Sequence, residues 1–317
     1  SPCLPGFLFY FLCGFDNPFY PAPSLYVALL IIIWAQTRLV MGGVMPVVWN
    51  AWCLLIGLWV LTTYQHHAVD IPAGALLGLF VLWLFPRNTP SPLADFQLTS
   101  DPKSRRIGLY YLAGATVFLA LGVHGLSITG YAIFWFWPAT ALALVALGDF
   151  GAGAGMFEKQ TDGTVSLASR LLLWPYRFFA RLNIRFWTRR LPAHVELGDN
   201  VFLGRFPKAR ELQFFSTVID LATEMVPPAH SIDWKSYGTI DLIKPPAEKL
   251  RLASEAVEVA RHHGPVLICC ALGFQRSATV AAHWLINTGR VNNQREAEEL
   301  IRAKGWPVHL HTSEVHE

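Results

Sequence analysis

Residues 266–277 have the sequence VLICCALGFQRS, and the organisation of the last third of the chain follows from them. The apolar run 266–269 is typical of a buried strand. Cys270 stands at its end, and Arg276 and Ser277 open a segment with helical periodicity. A strand, a short loop and a helix in this order direct backbone N–H groups and a helix N-terminus at one point. The stretch therefore predicts an anion-binding loop.

The side chains of this loop fit phosphate chemistry. Gly273 allows the backbone to curl around an anion, and Arg276 can bind two phosphate oxygens at once. We expect the same positive field to favour the thiolate form of Cys270, a strong nucleophile, with Ser277 donating to it. A nucleotide-binding loop is excluded because no Gly-Lys-Ser/Thr follows. The loop residues expected to hold phosphate are Ala271, Leu272, Gly273, Phe274, Gln275 and Arg276.

Cys, five residues, Arg and then Ser is the signature of the dual-specificity phosphatase family, and residues 195–317 resemble that family. Val201-Phe-Leu-Gly204 is similar to its opening strand, and Val218-Ile-Asp-Leu221 followed by Glu224 is similar to its second. The resemblance implies a central sheet flanked by helices. It also implies hydrolysis of phosphate monoesters through a phosphocysteine intermediate, with no cofactor.

Cys269 departs from the family pattern, which has His immediately before the nucleophile. That His orients the loop and tunes the thiol, so we expect its loss to alter the reactivity of Cys270 without abolishing it. A neighbouring thiol could also trap oxidised Cys270, although a vicinal disulfide is strained.

A general acid is needed to protonate the leaving oxygen. The resemblance implies an Asp about thirty residues before the nucleophile, on a loop that precedes a helix. Asp241 lies 29 positions upstream (270 − 241), in the sequence TIDLIKPP, and fits this place. Asp233 is the alternative.

The residues around the loop show an α/β pattern after Pro192. Further strands are predicted over 201–203 and 217–221, and helices over 247–262, 276–288 and 294–304. We place the phosphatase domain at 192–317.

The first 150 residues have a different composition. The chain as a whole is 53% hydrophobic and only 15% charged, and its apolar residues crowd into this part. They predict a multi-pass α-helical membrane domain over 1–150. Because Ser1 begins in mid-pattern, we expect this domain to be truncated at its start. Its five apolar segments are 25–41, 44–63, 70–86, 107–125 and 130–149.

Basic residues set the expected orientation of these segments. Arg38 lies near the end of the first segment, on the side of the second, and Arg87 and Lys103 lie between the third and fourth. The alternate loops, 16–24, 64–70 and 125–130, contain no Lys or Arg. The positive-inside rule then predicts an integral protein of the plasma or inner membrane with a cytoplasmic phosphatase domain.

Arginines recur among aromatic residues over 166–190, within the linker 151–191. Their four-residue spacing predicts a basic amphipathic helix that lies on an anionic inner leaflet, with Phe and Trp on its other face. An ordinary amphipathic helix packed on the soluble domain is the alternative. The arginines are Arg170, Arg177, Arg181, Arg185 and Arg189.

A second candidate site lies in the membrane domain. His66 and Asp70 are four residues apart, so a helix would place them on one face, where a carboxylate can steer the His as a nucleophile. Residues 64–78 resemble the third motif of the type-2 phosphatidic-acid phosphatase superfamily, in which His forms a phosphohistidine. Pro23-Ser-Leu-Tyr26 is similar to the second motif, but Tyr26 replaces its leaving-group His, and the basic first motif is absent. A degenerate membrane anchor is the alternative.

The sequence thus predicts a membrane-tethered phosphatase that acts on a lipid phosphate or a phosphoprotein. A non-catalytic membrane scaffold that binds phosphorylated lipid or protein is the alternative. The net charge of +3 is too small to indicate nucleic acid. We expect no metal, because solvated surface histidines explain the polar His residues of the tail.

Overall fold

The apolar segments of the first half fold into helices in the computed structural model, which describes residues 24–38, 40–62, 70–87 and 89–310. The five helices are α1 (Leu25–Arg38), α2 (Met45–Thr62), α3 (Asp70–Leu84), α4 (Pro102–Leu126) and α5 (Phe136–Leu147). Within the described residues, two helical stretches are long and apolar enough to cross a membrane, Pro102–Leu126 and Gly130–Phe157. The other three helices are shorter. Helices thus form at all five expected segments, and two helical stretches in the described part of the chain have the length that a crossing requires.

Contacts divide the chain into two units. One contains the residues up to Thr89 together with Phe118–Trp137, and the other contains Pro90–Val117 and the residues from Pro138 onward.

Two glycines bring α1 and α3 together in the first unit. A side chain at Gly74 would stand 2.4 Å from the main-chain oxygen of Ser24, and one at Gly78 would stand 2.8 Å from that of Ala28. Small residues four apart allow two apolar helices to approach closely, as helices in membranes commonly do.

The second unit contains a five-stranded sheet in the order β1-β2-β5-β3-β4. All neighbouring strands are parallel except the β1–β2 pair. The strands are β1 (His194–Gly198), β2 (Val201–Arg205), β3 (Thr217–Ala222), β4 (Asp233–Thr239) and β5 (Val266–Cys270). The central strand, β5, is buried along its whole length, as its uninterrupted apolar run requires.

Helices α8 (Ala247–Ala260), α9 (Arg276–Asn287) and α10 (Gln294–Ala303) follow the predicted pattern to within two residues. Helix α9 packs on β5 and α8, and α10 packs on α9. Trp284 and Trp306 fill the core beside them. The carboxyl ends of β2, β3 and β5 lie along one edge of the sheet, the usual place for a ligand in parallel sheets.

The segment before β1 packs onto the sheet. Lys159 forms a buried ion pair with Asp220 of β3, and the amide of Ser236 donates to the carbonyl of Thr161 at 2.7 Å. The expected single helix over 166–190 is two helices, α6 (Leu167–Leu172) and α7 (Trp174–Trp187). Pro175 in the first turn of α7 accounts for the break, because it cannot donate to the preceding turn.

The position of the Arg177 side chain differs from the prediction for this segment. Arg177 was expected on a membrane-facing surface, but its side chain is buried and donates to the carbonyls of Ser169 and Glu224, at 2.6 and 2.9 Å. A guanidinium has five donors, and Arg177 uses them to tie α7 to the carboxyl edge of the sheet.

Candidate active site

Cys270 lies at the carboxyl end of β5 and is 3% exposed. Its Sγ accepts hydrogen bonds from the Gly273 amide at 3.2 Å and from the Ser277 hydroxyl at 3.3 Å. These two donors fix the position of the sulfur at the start of the loop. The helix α9 begins six residues later, so its N-terminus adds positive potential at the same place.

Neighbouring elements hold the loop after Cys270 in shape. Gly273 has φ +87°, and a side chain there would lie 2.6 Å from both the Gly204 oxygen and the Trp306 ring. Only glycine fits this position. The Gly273 carbonyl accepts from the Trp306 indole at 2.9 Å, and the Ala271 carbonyl accepts from the Phe206 amide at 3.1 Å. The loop is therefore preorganised.

Arg276 is 1% exposed and is held by a carboxylate that the sequence did not single out. Its Nη1 and Nη2 donate to the two oxygens of Glu224 at 2.9 and 2.5 Å, and Nη1 also donates to the Thr239 carbonyl at 2.7 Å. Its buried Nε has no hydrogen-bond partner within the described part of the chain. The guanidinium is thus fixed on one side and retains a donor for an anion.

The charges of this cluster support one another. Burial alone would lower the pKa of Arg276, but the negative charges of Asp241 and Glu224 outweigh it and raise that pKa well above its usual value. Burial would raise the pKa of Glu224, but the ion pair with Arg276 lowers it. Both groups are therefore charged at neutral pH.

The two candidates for the general acid lie in different surroundings. Asp241 lies on the loop after β4, where its Oδ1 is 3.1 Å from Nη2 of Arg276. Its side chain is 41% exposed, so it can meet a substrate from solvent. Asp233 is at the start of β4 and pairs with Lys235 at 3.2 Å. The structure brings Asp241, and not Asp233, next to Arg276.

The side chain of Cys269 points away from that of Cys270, because consecutive residues of a strand face opposite sides of the sheet. Its side chain is fully buried, and burial raises the pKa of its thiol well above the usual value. It therefore packs as a small apolar group.

The membrane-domain candidates are only partly described. His66 lies outside the described residues. Asp70 is fully buried at the start of α3, and its main-chain oxygen accepts from the Ser24 amide at 3.4 Å. The structure thus brings together parts of the two motifs that the sequence separates, while Tyr26 is 59% exposed. A catalytic role for His66 and Asp70 stays a prediction.

Glu224 is the residue that sequence reasoning passed over. The family resemblance includes Glu224 without giving it a role, although it follows the carboxyl end of β3, at the sheet edge where Cys270 lies. That position was its available signal. No group of three or more His, Cys, Asp or Glu side chains able to hold a metal occurs within the described ranges.

Solved structures of similar chains exist. "Tk-PTP in the active form" is 27% identical, with 39% of this chain and 91% of that chain covered and a TM-score of 0.35. PTPMT1 in complex with PI(5)P is 20% identical over 38% of this chain and 89% of that chain, with a TM-score of 0.35. Human tyrosine phosphatase-like serine/threonine/tyrosine-interacting protein is 17% identical. The match covers 39% of this chain and 91% of that chain, with a TM-score of 0.34. No family model and no curated protein matches the sequence. Because these TM-scores are low, we infer the activity from the geometry of the loop.

Proposed function

We propose that the chain is a cysteine-dependent phosphatase that hydrolyses phosphate monoesters through a phosphocysteine intermediate. The observation that carries this proposal is the hydrogen bonding of Cys270 Sγ to Gly273 and Ser277, at the mouth of a preorganised loop that Arg276 closes. A nucleophile, an anion-binding backbone and a fixed cation meet at one point, as phosphoryl transfer requires.

The mechanism follows from these positions. The Cys270 thiolate attacks phosphorus, so that an S–P bond forms while the P–O bond to the leaving group breaks. Asp241 gives its proton to the departing oxygen. Water then attacks phosphorus and gives a proton to the Asp241 carboxylate, the S–P bond breaks to release phosphate, and the Ser277 hydroxyl stabilises the thiolate that leaves. Arg276 Nε and the loop amides hold the phosphate oxygens throughout.

The experiment that tests this proposal is phosphate release by the full-length chain in detergent micelles, with an aryl phosphate as substrate and a chelator present. We expect turnover without added metal, because Arg276 and the loop amides neutralise the phosphate charge. A panel of phospholipids and phosphopeptides then identifies the substrate class. Binding of tungstate without turnover of any substrate would instead favour the non-catalytic scaffold.

We expect Asp241→Asn to slow hydrolysis most for substrates with poor leaving groups. The reason is that protonation matters only when the departing oxygen is a strong base, where general acid catalysis contributes about 10²–10⁴-fold. The measurement compares kcat for an alkyl and a nitrophenyl phosphate, with Asp233→Asn as the matched control. Equal slowing on both substrates, or a leaving-group effect confined to Asp233→Asn, would remove Asp241 from this role.

The apolar helices support a second part of the proposal, that the phosphatase is an integral, multi-pass membrane protein with a cytoplasmic active site. The candidate spans Pro102–Leu126 and Gly130–Phe157 precede the sheet in the chain. Basic residues border the loops that this topology places inside. Release of the full chain from membranes by alkaline carbonate would contradict it.

A further inference from the structure

A groove of about 870 Å³ lies between α7 and two loops at the carboxyl edge of the sheet, 205–208 and 225–229. Its volume falls within the range of small-ligand sites. The basic side chains that line it are Arg170, Arg181, Arg185, Arg189, Arg205 and Lys208. None of the described residues lining it carries a carboxylate.

Most of this positive charge is not neutralised by the protein. Arg205 pairs with Glu211 at 2.7 Å. In contrast, no ion pair involves Arg170, Arg181, Arg185 or Arg189 among the residues that the structure describes. Like charges at four-residue spacing destabilise a helix, so this arrangement costs stability unless an anion occupies the groove.

The groove adjoins the loop 271–276 that follows Cys270, here called the phosphate loop, but does not include it. Arg205 is the register partner of Cys270, and Phe206 donates to the carbonyl of Ala271. Neighbouring strands lie about 4.8 Å apart, so one wall of the groove is directly beside the loop. Cys270 and Arg276 do not line the groove.

The outer face of α7 indicates where the anion comes from. Phe179, Leu182 and Phe186 are exposed by 60%, 46% and 56%, on the side of the helix away from the buried Arg177 and Ile184. An outward apolar face flanked by arginines is typical of a helix that inserts into the headgroup boundary of a bilayer. The same helix thus presents apolar side chains to acyl chains and Arg181 and Arg185 to the groove.

We propose that this groove binds the phosphate headgroup of an anionic membrane phospholipid, at a site separate from the phosphate loop. The four arginines that form no ion pair within the described residues neutralise the headgroup, while the outer face of α7 lies among the acyl chains. The bound lipid holds the carboxyl edge of the sheet, and with it Cys270, at the membrane surface.

Native mass spectrometry of the full-length chain tests this proposal without relying on activity. The chain is titrated from detergent with phosphatidylglycerol or with phosphatidylcholine of the same acyl length. We expect one phosphatidylglycerol to be retained in preference to phosphatidylcholine. Arg185→Gln/Arg189→Gln should weaken that binding at least about tenfold, because it removes two basic side chains from an anionic surface.

Arg295→Gln/Lys304→Gln is the matched control, because it removes the same charge from exposed positions of the α10 region. It should bind phosphatidylglycerol as the wild type does. Equal binding by the Arg185/Arg189 variant would overturn the proposal. Displacement of the lipid by equimolar inorganic phosphate would show a site for free phosphate, and displacement by a phosphopeptide would show a site for protein substrate. Either result would overturn the assignment to lipid.

Discussion

Cys270→Ser is expected to lower kcat for an aryl phosphate by at least about 10³-fold. A serine hydroxyl stays protonated at neutral pH, and it is a far weaker nucleophile than a thiolate. The substitution keeps nearly the same shape, so the amide of Gly273 and the hydroxyl of Ser277 retain an acceptor. Phosphate binding should therefore survive while turnover is lost.

Rapid acid quenching with a ³²P-labelled substrate separates the chemical step from binding. The wild type should yield a labelled protein, and Cys270→Ser should yield none. Cys269→Ala is the matched control, since it removes the adjacent thiol on the opposite face of β5 and should retain most of the activity. Turnover by Cys270→Ser within tenfold of the wild type would end the phosphocysteine mechanism.

The phosphate loop could be predicted from sequence because everything that shapes it is contiguous. The apolar strand, Gly273 and the start of α9 occur within 12 successive residues. The local conformational preferences of these residues favour the same strand, loop and helix, so tertiary contacts do not change the predicted structure. The same is true of the main helices of this unit, which end close to their predicted limits.

Glu224 and Lys159 show where prediction from sequence fails. Glu224 pairs with Arg276, from which it is separated by 52 positions in the sequence, and Lys159 pairs with Asp220, 61 positions away. No periodicity in the sequence reports such pairs. For the same reason the segment 151–191 was expected to be a linker helix, whereas Lys159 and Arg177 bind it to the sheet.

The two edge strands were missed for a different reason. β4 has the sequence DWKSYGT, and several of its residues have low β-propensity. It forms because it pairs with β3 along most of its length. Edge strands are often polar, since charged residues discourage pairing with other chains. Their sequence signal is correspondingly weak.

Glu224→Gln is expected to lower both stability and activity, and it affects activity through Arg276. Glu224 and Arg276 have side chains exposed by only 4% and 1%, so removing one charge leaves the other buried and uncompensated. Breaking such a pair costs about 3–5 kcal/mol of stability. Arg276 should also lose its fixed position, so that kcat/KM falls and the inhibition constant of inorganic phosphate rises, each by about 10²-fold.

Glu211→Gln is the matched control, because Glu211 forms a second, largely buried pair with Arg205. It should destabilise the protein while leaving the phosphate inhibition constant unchanged. Urea denaturation in detergent micelles, followed by tryptophan fluorescence, gives the stability of each variant. If both variants changed phosphate binding equally, the role of Glu224 would be structural only.

The pH dependence gives an independent check on the same pair. Arg276 lowers the pKa of Glu224 below its usual value of 4.5, so the native state holds this proton less tightly than the unfolded chain. The stabilisation is therefore fully present above the unfolded pKa, and it is lost as pH falls through the lower folded value. The stability difference between wild type and Glu224→Gln should be constant between about pH 6 and 8 and should narrow only below about pH 4. A difference that narrowed near neutral pH would show that Glu224 is not a charged partner of Arg276.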